Sequence, residues 1–548
     1  MFAFVLIALC GASAAADAVA VDEGYGMVYQ SNTTEVDRFC FSSGALPPYV
    51  NGTYIFAAVG AMEMGETRFV DVLDGFGKLH SFELNGGDGG GGCFSAAMMN
   101  TGFYNASVAK GVVTAGVLFD ETVPPRKGLN PLRNILAPND NVIINTVKLG
   151  EGYMMVTDSP TTLDFDPRTL GMLGEHKWDD KMVKLGNKGM LSSGHPVRRP
   201  RSSASGAEHG QLIDIVVEAP FVGGGAGRVD VFAVADDAPT TRVKLNGYAL
   251  PKGFLPYFHS FGVTGDYVVL PHQNVTTDFS VLEMGKPMSA AFSSKGLNVA
   301  ELLLVPLDGS AVRTFPLPSS VAYAHTVNCY ENGTGIVLDL TVFNLPNPFD
   351  DANTFTNIPT NVAKAARDAE TTRGVVQRFV LHMHGPPTVT TEILSRMPAA
   401  ADSDSDSTKK SKSSSSSSSS EFTRFHEFTR IDDARQGSHY CVFYCNEWFH
   451  DDATKGAMAV VKQNVCTGET TYWHRPAFFP TEAIFVPSDR AGRAEDEGVL
   501  LFASLSGAER TSHFHMLNAT TMEDLVDAPL PVAIPYAAHG QFYPGLFA

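Results

Sequence analysis

The chain has 548 residues, of which 44% are hydrophobic and 18% are charged, enough apolar material for a large buried core. It carries 40 Lys and Arg against 59 Asp and Glu, which gives a formal net charge of -19 at pH 7. This acidic balance excludes a nucleic-acid surface and general electrostatic attraction to anionic membranes. We therefore predict a small, uncharged partner and no nucleic acid, and the composition predicts no particular protein partner.

The N-terminal segment predicts that the protein enters the secretory pathway. Residues 2–10 (FAFVLIALC) form a short apolar run followed by small residues, as in the core and cleavage region of a signal peptide. The run is too short to span a bilayer, and we assign residues 1–16 to the signal peptide. The usual basic start is missing, because the first basic side chain is Arg38. A secretory or extracellular location is the first hypothesis, and a plastid or another organelle stays open.

From residue 50 onward the chain consists of short β-prone runs that end at Gly, Asp, Asn or Pro. Examples are GDYVVLP (265–271), GTGIVLDLTVF (333–343) and GVLLFASLSG (498–507). Many strands and few amphipathic helices over roughly 500 residues predict an all-β fold, for which a β-propeller is the usual architecture. The sequence contains no clear internal repeat, so the repeat pattern does not give a blade count.

Residues 124–138 (PPRKGLNPLRNILAP) are locally basic within an acidic protein. Leu129, Leu132, Ile135 and Leu136 recur in this stretch at helix-like spacing. A basic amphipathic segment predicts a peripheral membrane contact. An ordinary surface helix is the alternative, because the amphipathic pattern is weak.

Sixteen histidines are present, so the count alone carries little information. Two H-x-H pairs share a strand face but have no third ligand nearby in sequence, which favours a structural role: His382/His384 and His513/His515. Four other histidines stand next to β-prone runs among small or aromatic residues: His195 (SSGHPV), His259 (PYFHSFG), His325 (YAHTVNCYENG) and His539 (AAHGQFYP). A propeller gathers the inner strands of all blades around one axis, where these four could converge.

Residues 401–420 (ADSDSDSTKKSKSSSSSSSS) cannot bury apolar surface and predict a disordered loop. β-prone sequence resumes on both sides of this segment. We therefore predict one domain over residues 17–548, with the Ser-rich segment as an insertion at about 400–421.

Six N-x-S/T sequons predict a glycoprotein, although a chain rich in Ser and Thr collects some by chance. They are Asn32, Asn51, Asn105, Asn274, Asn332 and Asn518. Six scattered cysteines follow the signal peptide and predict no disulfide framework: Cys40, Cys93, Cys329, Cys441, Cys445 and Cys466. Cys441 and Cys445 lie in one strand-like stretch, where four residues span about 13 Å, too far for a mutual bridge.

Three further segments stand in a fixed order with the four histidine segments: GALPPYVNGTYIF (44–56), LDGFGKLHSFEL (73–84) and TEAIFVPSDRAGRAEDEGVLL (481–501). The ordered set resembles the carotenoid cleavage oxygenase family. That family includes animal β-carotene cleavage enzymes, the retinal pigment epithelium retinoid isomerohydrolase and lignostilbene dioxygenases. The resemblance covers nearly the whole mature chain and is greater to animal-type members.

The resemblance implies a seven-bladed β-propeller with loops and short helices forming a cap over an iron site. It implies that each of four histidines gives one imidazole to a single Fe(2+), with O2 as co-substrate: His195, His259, His325 and His539. Four neutral imidazoles leave the full positive charge on the ion and leave open coordination positions for oxygen.

The family's ligands donate their free ring N–H groups to three glutamates, which fix the tautomer of each imidazole. Glu427 in HEFTRI and Glu482 in TEAIFV match two of these positions. At the third, in VTDSPTTLDF, this chain has Asp158. Because aspartate is one methylene shorter, we expect the hydrogen bond there to be long, water-mediated or missing.

The predicted function is oxidative cleavage of a double bond in a carotenoid or apocarotenoid, to aldehyde or ketone products. The substrate would be a small apolar polyene that enters an apolar tunnel. Two alternatives stay open: an iron-dependent retinoid isomerase or isomerohydrolase, and a metal-free propeller that serves as a binding module.

Overall fold

A computed structural model of the chain describes residues 20–21, 24–42, 46–87, 89–114, 116, 118–126, 139–180, 191–201, 210–218, 227–252, 254–273, 275–278, 281, 286–293, 300–343, 374–395, 425–448 and 454–547. Nearly all the regular structure in these residues is antiparallel β-sheet. The all-β prediction is therefore confirmed.

Seven of the sheets contain four or five strands, and we number them 1 to 7. Sheet 1 contains Val36–Ser42, Gly91–Met98, Phe76–Asn85, Gly52–Ala61 and Ala537–Pro544. Sheet 2 contains Asn145–Leu149, Gly152–Val156, Leu163–Phe165 and Met172–Glu175. Sheet 3 contains Val197–Arg198, Leu212–Glu218, Arg228–Val234 and Val243–Ala249. Sheet 4 contains Gly262–Val263, Tyr267–His272, Glu301–Pro306 and Arg313–Pro316.

The remaining sheets follow in chain order. Sheet 5 contains Tyr323–Glu331, Gly335–Phe343, Gly374–His382 and Thr388–Ile393. Sheet 6 contains His426–Arg430, Val442–Trp448, Met458–Asn464 and Thr470–Trp473. Sheet 7 contains Phe478–Pro480, Ile484–Pro487, Gly498–Ser506, Thr511–Asn518 and Asp524–Pro529.

Apolar clusters join each sheet to the next. Tyr444 and Val460 of sheet 6, for example, pack with Phe502 of sheet 7. The other neighbouring pairs share clusters of the same kind, and one cluster connects sheet 7 back to sheet 1. A closed ring of sheets that pack face to face is a β-propeller.

The long second or third strands are buried on both faces because each sheet lies between two others. All nine residues of Gly335–Phe343 are buried, and so are all nine of Gly498–Ser506. Such strands read as continuous apolar runs, which is why the sequence identified them as β-prone. The outermost strands are more exposed, as in Thr388–Ile393.

The C-terminal strand closes the ring. Ala537–Pro544 pairs antiparallel with Gly52–Ala61, so sheet 1 combines strands from both ends of the described chain. Gly540 lies opposite Phe56, and a Cβ at Gly540 would come within 2.4 Å of the Phe56 Cβ. This close approach requires glycine next to His539.

In the part of the chain that the structure describes, helices are few and short. The α-helices are Gly102–Lys110 and Met288–Ala291, and the 3-10 helices are Tyr25–Tyr29, Val72–Asp74 and Asp433–Arg435. Smaller sheets pair Ala20–Val21 with Thr454–Lys455, Thr276–Thr277 with Phe292–Ser293, and Thr67–Phe69 with both Glu63–Met64 and Thr122–Val123. Among the described residues, no helix is both long and apolar enough to cross a bilayer.

A short helix and its neighbours pack near the histidine segments, and the predicted cap over the site stays a prediction. Met288 and Ser289 of the helix Met288–Ala291 donate their N–H groups to the carbonyls of Leu118 and Phe119, and Phe292 packs on Tyr257. Tyr257 stands two residues before His259, so these elements lie beside the His259 segment.

The prediction of no disulfide framework is wrong. Cys40 is bonded to Cys93 in sheet 1, and Cys441 to Cys466 in sheet 6. Cys40 and Cys93 are register partners on neighbouring strands although 53 residues separate them in sequence. Strand register sets this pairing, and spacing along the chain does not reveal it.

Several predictions lie outside the described residues: the signal peptide at 1–16, the insertion at about 400–421, Asn274, and residues 127–138 of the basic stretch. Arg126 of that stretch is described, and its side chain is only 6% exposed. Its guanidinium donates to the Gly116 carbonyl at 2.9 Å and lies 3.5 Å from Glu121 Oε1. Arg126 therefore adds little to a basic surface.

Candidate metal centre

The four histidines of the predicted ligand set meet at the centre of the ring. His195 and His259 precede the first strands of sheets 3 and 4, whereas His325 and His539 lie within strands of sheets 5 and 1. One ring nitrogen of each lies within 4.8 Å of the others. Consecutive Nε2 atoms are 3.1 Å apart for His195–His259, 3.2 Å for His259–His325 and 3.0 Å for His325–His539.

In three of the four histidines, the other imidazole nitrogen, Nδ1, contacts a carboxylate. His259 Nδ1 lies 3.0 and 2.9 Å from the two oxygens of Asp158. His539 Nδ1 lies 3.0 Å from Glu482 Oε1, and His325 Nδ1 contacts Glu427 Oε2. A carboxylate can only accept, so each Nδ1 carries the proton and each Nε2 is left with a lone pair.

These lone pairs face one another at about 3 Å, which is repulsive unless a cation lies between them. Two nitrogens at right angles, each about 2.1 Å from one ion, would be roughly 3.0 Å apart. The observed separations match that value. Imidazole nitrogen is a good ligand for divalent transition metals, and the donor set fits one such ion.

Burial and local charge favour neutral imidazoles at two of the positions. Burial and the neighbouring His539 hold the pKa of His195 well below its usual range. Burial lowers the pKa of His539 to about 4, although Glu482 acts in the opposite direction. At His259 burial also acts downward, but Asp158 outweighs it and raises the pKa.

The expectation for Asp158 is wrong, because its contact with His259 is direct and short. Asp158 Oδ1 also accepts the Gly194 N–H at 2.9 Å, and Oδ2 accepts the Tyr257 hydroxyl at 2.6 Å. A Cβ at Gly194 would lie 3.1 Å from Asp158 Oδ1 and 2.7 Å from Ile144 Cγ2. Because position 194 is glycine, the His195 loop can approach Asp158 closely. The shorter acid therefore contacts both this loop and the His259 ring.

Glu482 belongs to a larger network that the sequence did not identify. Arg430 donates two hydrogen bonds to its carboxylate, both at 2.9 Å, and a third to the Gly540 carbonyl at 2.8 Å. Burial acts to raise the pKa of Glu482, but Arg430 and then His539 outweigh it and lower that pKa to about 2. Glu482 is therefore an anion held between a guanidinium and an imidazole.

A bulge explains why Arg430 was missed. Glu427 and Arg430 are three residues apart, and strict alternation would place them on opposite faces of their strand. The register shifts between them, and Phe428 adopts a left-handed conformation with φ 54°. The Phe428 ring then lies 5.6 Å from the His325 ring and 5.1 Å from the His539 ring. Strained backbone of this kind is common at functional sites.

A cavity of about 1000 Å³ reaches His195, His325 and His539. Its wall includes the charged residues Lys148, Arg198, Arg199, Asp236 and Asp433. Apolar side chains such as Val197, Phe261 and Phe542 also line this cavity, and the predicted apolar tunnel stays a prediction.

The H-x-H pairs behave as structural residues. His513 contacts Asp527 at 2.6 Å and Glu509 at 2.9 Å, while His515 contacts Asp524 at 3.2 Å and Ser504 at 2.7 Å. Arg475 bridges the two aspartates and compensates their charge. His382 lies at the end of the strand Gly374–His382, where its ring contacts Thr390 of the neighbouring strand.

Comparison with known proteins places the chain in a family. The sequence profile of the family described as retinal pigment epithelial membrane protein (RPE65) matches residues 29–544. The carotenoid isomerooxygenase of Galleria mellonella is 25% identical over 524 residues, covering 92% of this chain and 93% of the relative. The β,β-carotene 15,15'-dioxygenase of Rattus norvegicus is 22% identical over 551 residues, with coverages of 92% and 88%.

Solved structures support the same fold. A variant of Synechocystis apocarotenoid oxygenase superposes with a TM-score of 0.76 at 19% identity, covering 96% of this chain and all of that one. The cobalt-substituted form of that enzyme gives a TM-score of 0.75 at 20% identity, with coverages of 95% and 98%. The profile match spans almost the whole chain, and the protein is a member of the RPE65/carotenoid oxygenase family.

Proposed function

We propose that the protein is a non-haem iron(II) dioxygenase that cleaves a double bond of a carotenoid or apocarotenoid to aldehyde or ketone products. The observation that carries the proposal is the convergence of four imidazole Nε2 atoms with no carboxylate among them. His195, His259, His325 and His539 would hold the metal. When bound, iron(II) would supply the redox chemistry that dioxygen requires.

The surrounding charges suit an uncharged substrate. Three carboxylates accept the ligands' ring protons, and Arg430 compensates one of them. Around a dication, three carboxylates and one guanidinium leave no net formal charge. A neutral centre does not attract an ionic ligand, so an apolar polyene would bind by burial of its surface.

The relatives support the same substrate class. Their names are β,β-carotene 15,15'-dioxygenase in Rattus norvegicus and carotenoid isomerooxygenase in Galleria mellonella. The latter name also supports the second candidate, an iron-dependent retinoid isomerase or isomerohydrolase, which would use the same ligands. A metal-free binding module is less favoured, since such a module would have no need of buried carboxylates behind the histidines.

The test is aerobic incubation of iron-loaded protein with a panel of carotenoids, apocarotenoids and retinyl esters. We expect oxygen uptake and carbonyl fragments whose masses locate one cleaved double bond, with none from the His325→Ala variant. Isomers or free acids without oxygen uptake would favour the second candidate instead. An untouched panel with stoichiometric iron present would reject both.

We also propose a secretory or extracellular location. Two disulfides support an oxidising compartment, because such bonds are rare in the cytosol. Among the sequons, Asn332 is exposed in the turn between two strands of sheet 5. Asn32 instead donates its side-chain amide to the Ala533 carbonyl at 2.7 Å, a bond that a glycan would break.

Peptide mapping after expression in a secretory host tests this proposal. We expect loss of about 16 residues, as for a short signal peptide, and a glycan on Asn332 but not on Asn32. An intact N-terminus without glycan would instead favour a plastid or other organelle. Membrane contact through residues 124–138 also stays a proposal, and a vesicle flotation assay with that stretch replaced by a Gly/Ser linker would test it.

A further inference from the structure

The loops that carry His195 and His259 are held together by one buried hydroxyl. Ser193 is fully buried, with 0% exposure. Its Oγ donates to the His259 carbonyl at 2.7 Å and accepts the His195 N–H at 3.0 Å. One side chain thus bridges the main chains of two candidate ligands that belong to different sheets.

The other two histidines need no such bridge. His325 lies within a strand, and its N–H donates to Thr341 Oγ1 of the neighbouring strand at 3.0 Å. His539 also lies within a strand and donates its N–H to the Ile144 carbonyl at 3.0 Å. His195 and His259 precede the strands Val197–Arg198 and Gly262–Val263, so sheet hydrogen bonds do not fix them directly.

His195 depends most on its main chain. Among the described residues no carboxylate contacts its ring, in contrast to the other three imidazoles. Its orientation therefore rests on the residues just before it. Gly194 donates to Asp158 Oδ1, and Ser193 connects the loop to His259.

We propose that Ser193 is a positioning residue that sets the separation of the His195 and His259 Nε2 atoms and thereby the affinity for the metal. The inference rests on the proposed metal centre. Without the hydroxyl, the His195 N–H and the His259 carbonyl lose a buried partner, and both loops can relax. An imidazole that must be reoriented at each binding event binds a metal less tightly.

The chain supplies a matched control at the preceding position. Ser192 is also buried, but its Oγ donates to the Ile215 carbonyl at 2.9 Å and lies 3.3 Å from Asp214 Oδ2. Both of these partners belong to sheet 3 itself. Ser192→Ala therefore removes a buried hydroxyl of the same kind without loosening the contact between the His195 and His259 loops.

The experiment compares wild type, Ser193→Ala and Ser192→Ala after loading with cobalt(II), whose visible spectrum reports ligand geometry. Competition with a chelator gives the cobalt dissociation constant, and thermal melting of the metal-free proteins gives the loss of stability. We expect Ser193→Ala to bind cobalt about tenfold more weakly with a changed spectrum, and Ser192→Ala to bind as wild type does. Ser193→Cys, with a weak donor of similar size, should give an intermediate affinity.

The outcomes separate two failures. Wild-type cobalt affinity and spectrum in Ser193→Ala would overturn the positioning role, and so would equal losses of affinity in both serine variants. A wild-type protein that binds no cobalt would reject the proposed metal centre itself. If Ser193→Ala does not fold, the comparison of Ser193→Cys with Ser192→Ala decides in the same way.

Discussion

The two halves of the candidate centre are built differently. His325 and His539 lie within strands, and their rings are backed by glutamates that are almost wholly buried. His195 and His259 lie in loops before short strands, and only His259 has a carboxylate, the partly exposed Asp158. The strand half is held by the strands that contain its histidines and by buried carboxylates, whereas the loop half depends on the Ser193 hydroxyl and the Asp158 carboxylate, which bind its main chain.

This difference shows that histidines with the same ligand role can be positioned by different kinds of contact. A propeller places inner strands around an axis, which gives the strand half its geometry as part of folding. The loop half needs specific residues, namely a serine, a glycine and a short acid, to reach the same separation of nitrogens. Variants in the two halves should therefore differ in how metal affinity and stability change together.

The largest effect is expected from removal of a ligand in either half. His325→Ala and His195→Ala should each reduce iron content and turnover below detection, because three imidazoles no longer enclose the ion. Metal analysis after gel filtration measures the first, and product formation the second. His382→Ala, at the end of a sheet 5 strand, is the control and should match wild type. Full iron occupancy in either ligand variant would contradict the assignment.

Loss of a carboxylate charge comes next. Glu427→Gln, Glu482→Gln and Asp158→Asn should each weaken metal affinity by roughly 10- to 100-fold, as changes behind metal ligands do. Asp158→Asn is expected to cost as much as the glutamate changes, because Asp158 contacts both His259 and the Gly194 N–H. Chelator competition with cobalt(II) gives the numbers. Wild-type metal affinity in Asp158→Asn would mean that the loop half does not depend on this carboxylate.

The two glutamates should differ in stability. Glu482→Gln removes the charge opposite Arg430, and an uncompensated buried charge costs about 3–5 kcal/mol. Arg430 is about one fifth exposed, so we expect the lower end of that range or less. Glu427→Gln leaves no guanidinium unpaired, so its loss of free energy of unfolding should be smaller. Urea unfolding of the metal-free proteins tests the order, which equal losses would contradict.

Removal of the metal should destabilise the fold moderately. When the free ion concentration is 100 times the dissociation constant, binding stabilises the native state by about 2.7 kcal/mol. We expect chelation to lower the melting temperature of wild type but not of His195→Ala, which starts without metal. An equal drop in both proteins would mean that the chelator acts elsewhere.

The smallest effect is expected from the Ser-rich segment. Deletion of residues 401–420 should leave melting temperature and activity nearly unchanged, because a Ser-rich loop buries little apolar surface. Calorimetry and the product assay measure both. A large loss of stability would show that the segment packs against the propeller.

The sequence predicted the parts of this molecule that family motifs and hydrophobic runs carry. The β-prone runs became the buried strands, and the four histidine segments converge. The sequence did not predict the role of Arg430, because a bulge turns this residue toward Glu482 and the residue pattern does not reveal the bulge. Ser193 and the Cys40–Cys93 bond depend on which loops and strands become neighbours, and local sequence does not specify that.

The most direct test of the central claim is the fate of oxygen during turnover. The iron-loaded protein would react with a carotenoid under ¹⁸O2, with immediate borohydride reduction to prevent exchange of carbonyl oxygen with water. Cleavage of one double bond by a dioxygenase consumes one O2 and places one labelled atom in each fragment. We predict label in both fragment alcohols and none with the His325→Ala variant. Unlabelled products, or an intact carbon chain, would contradict the account.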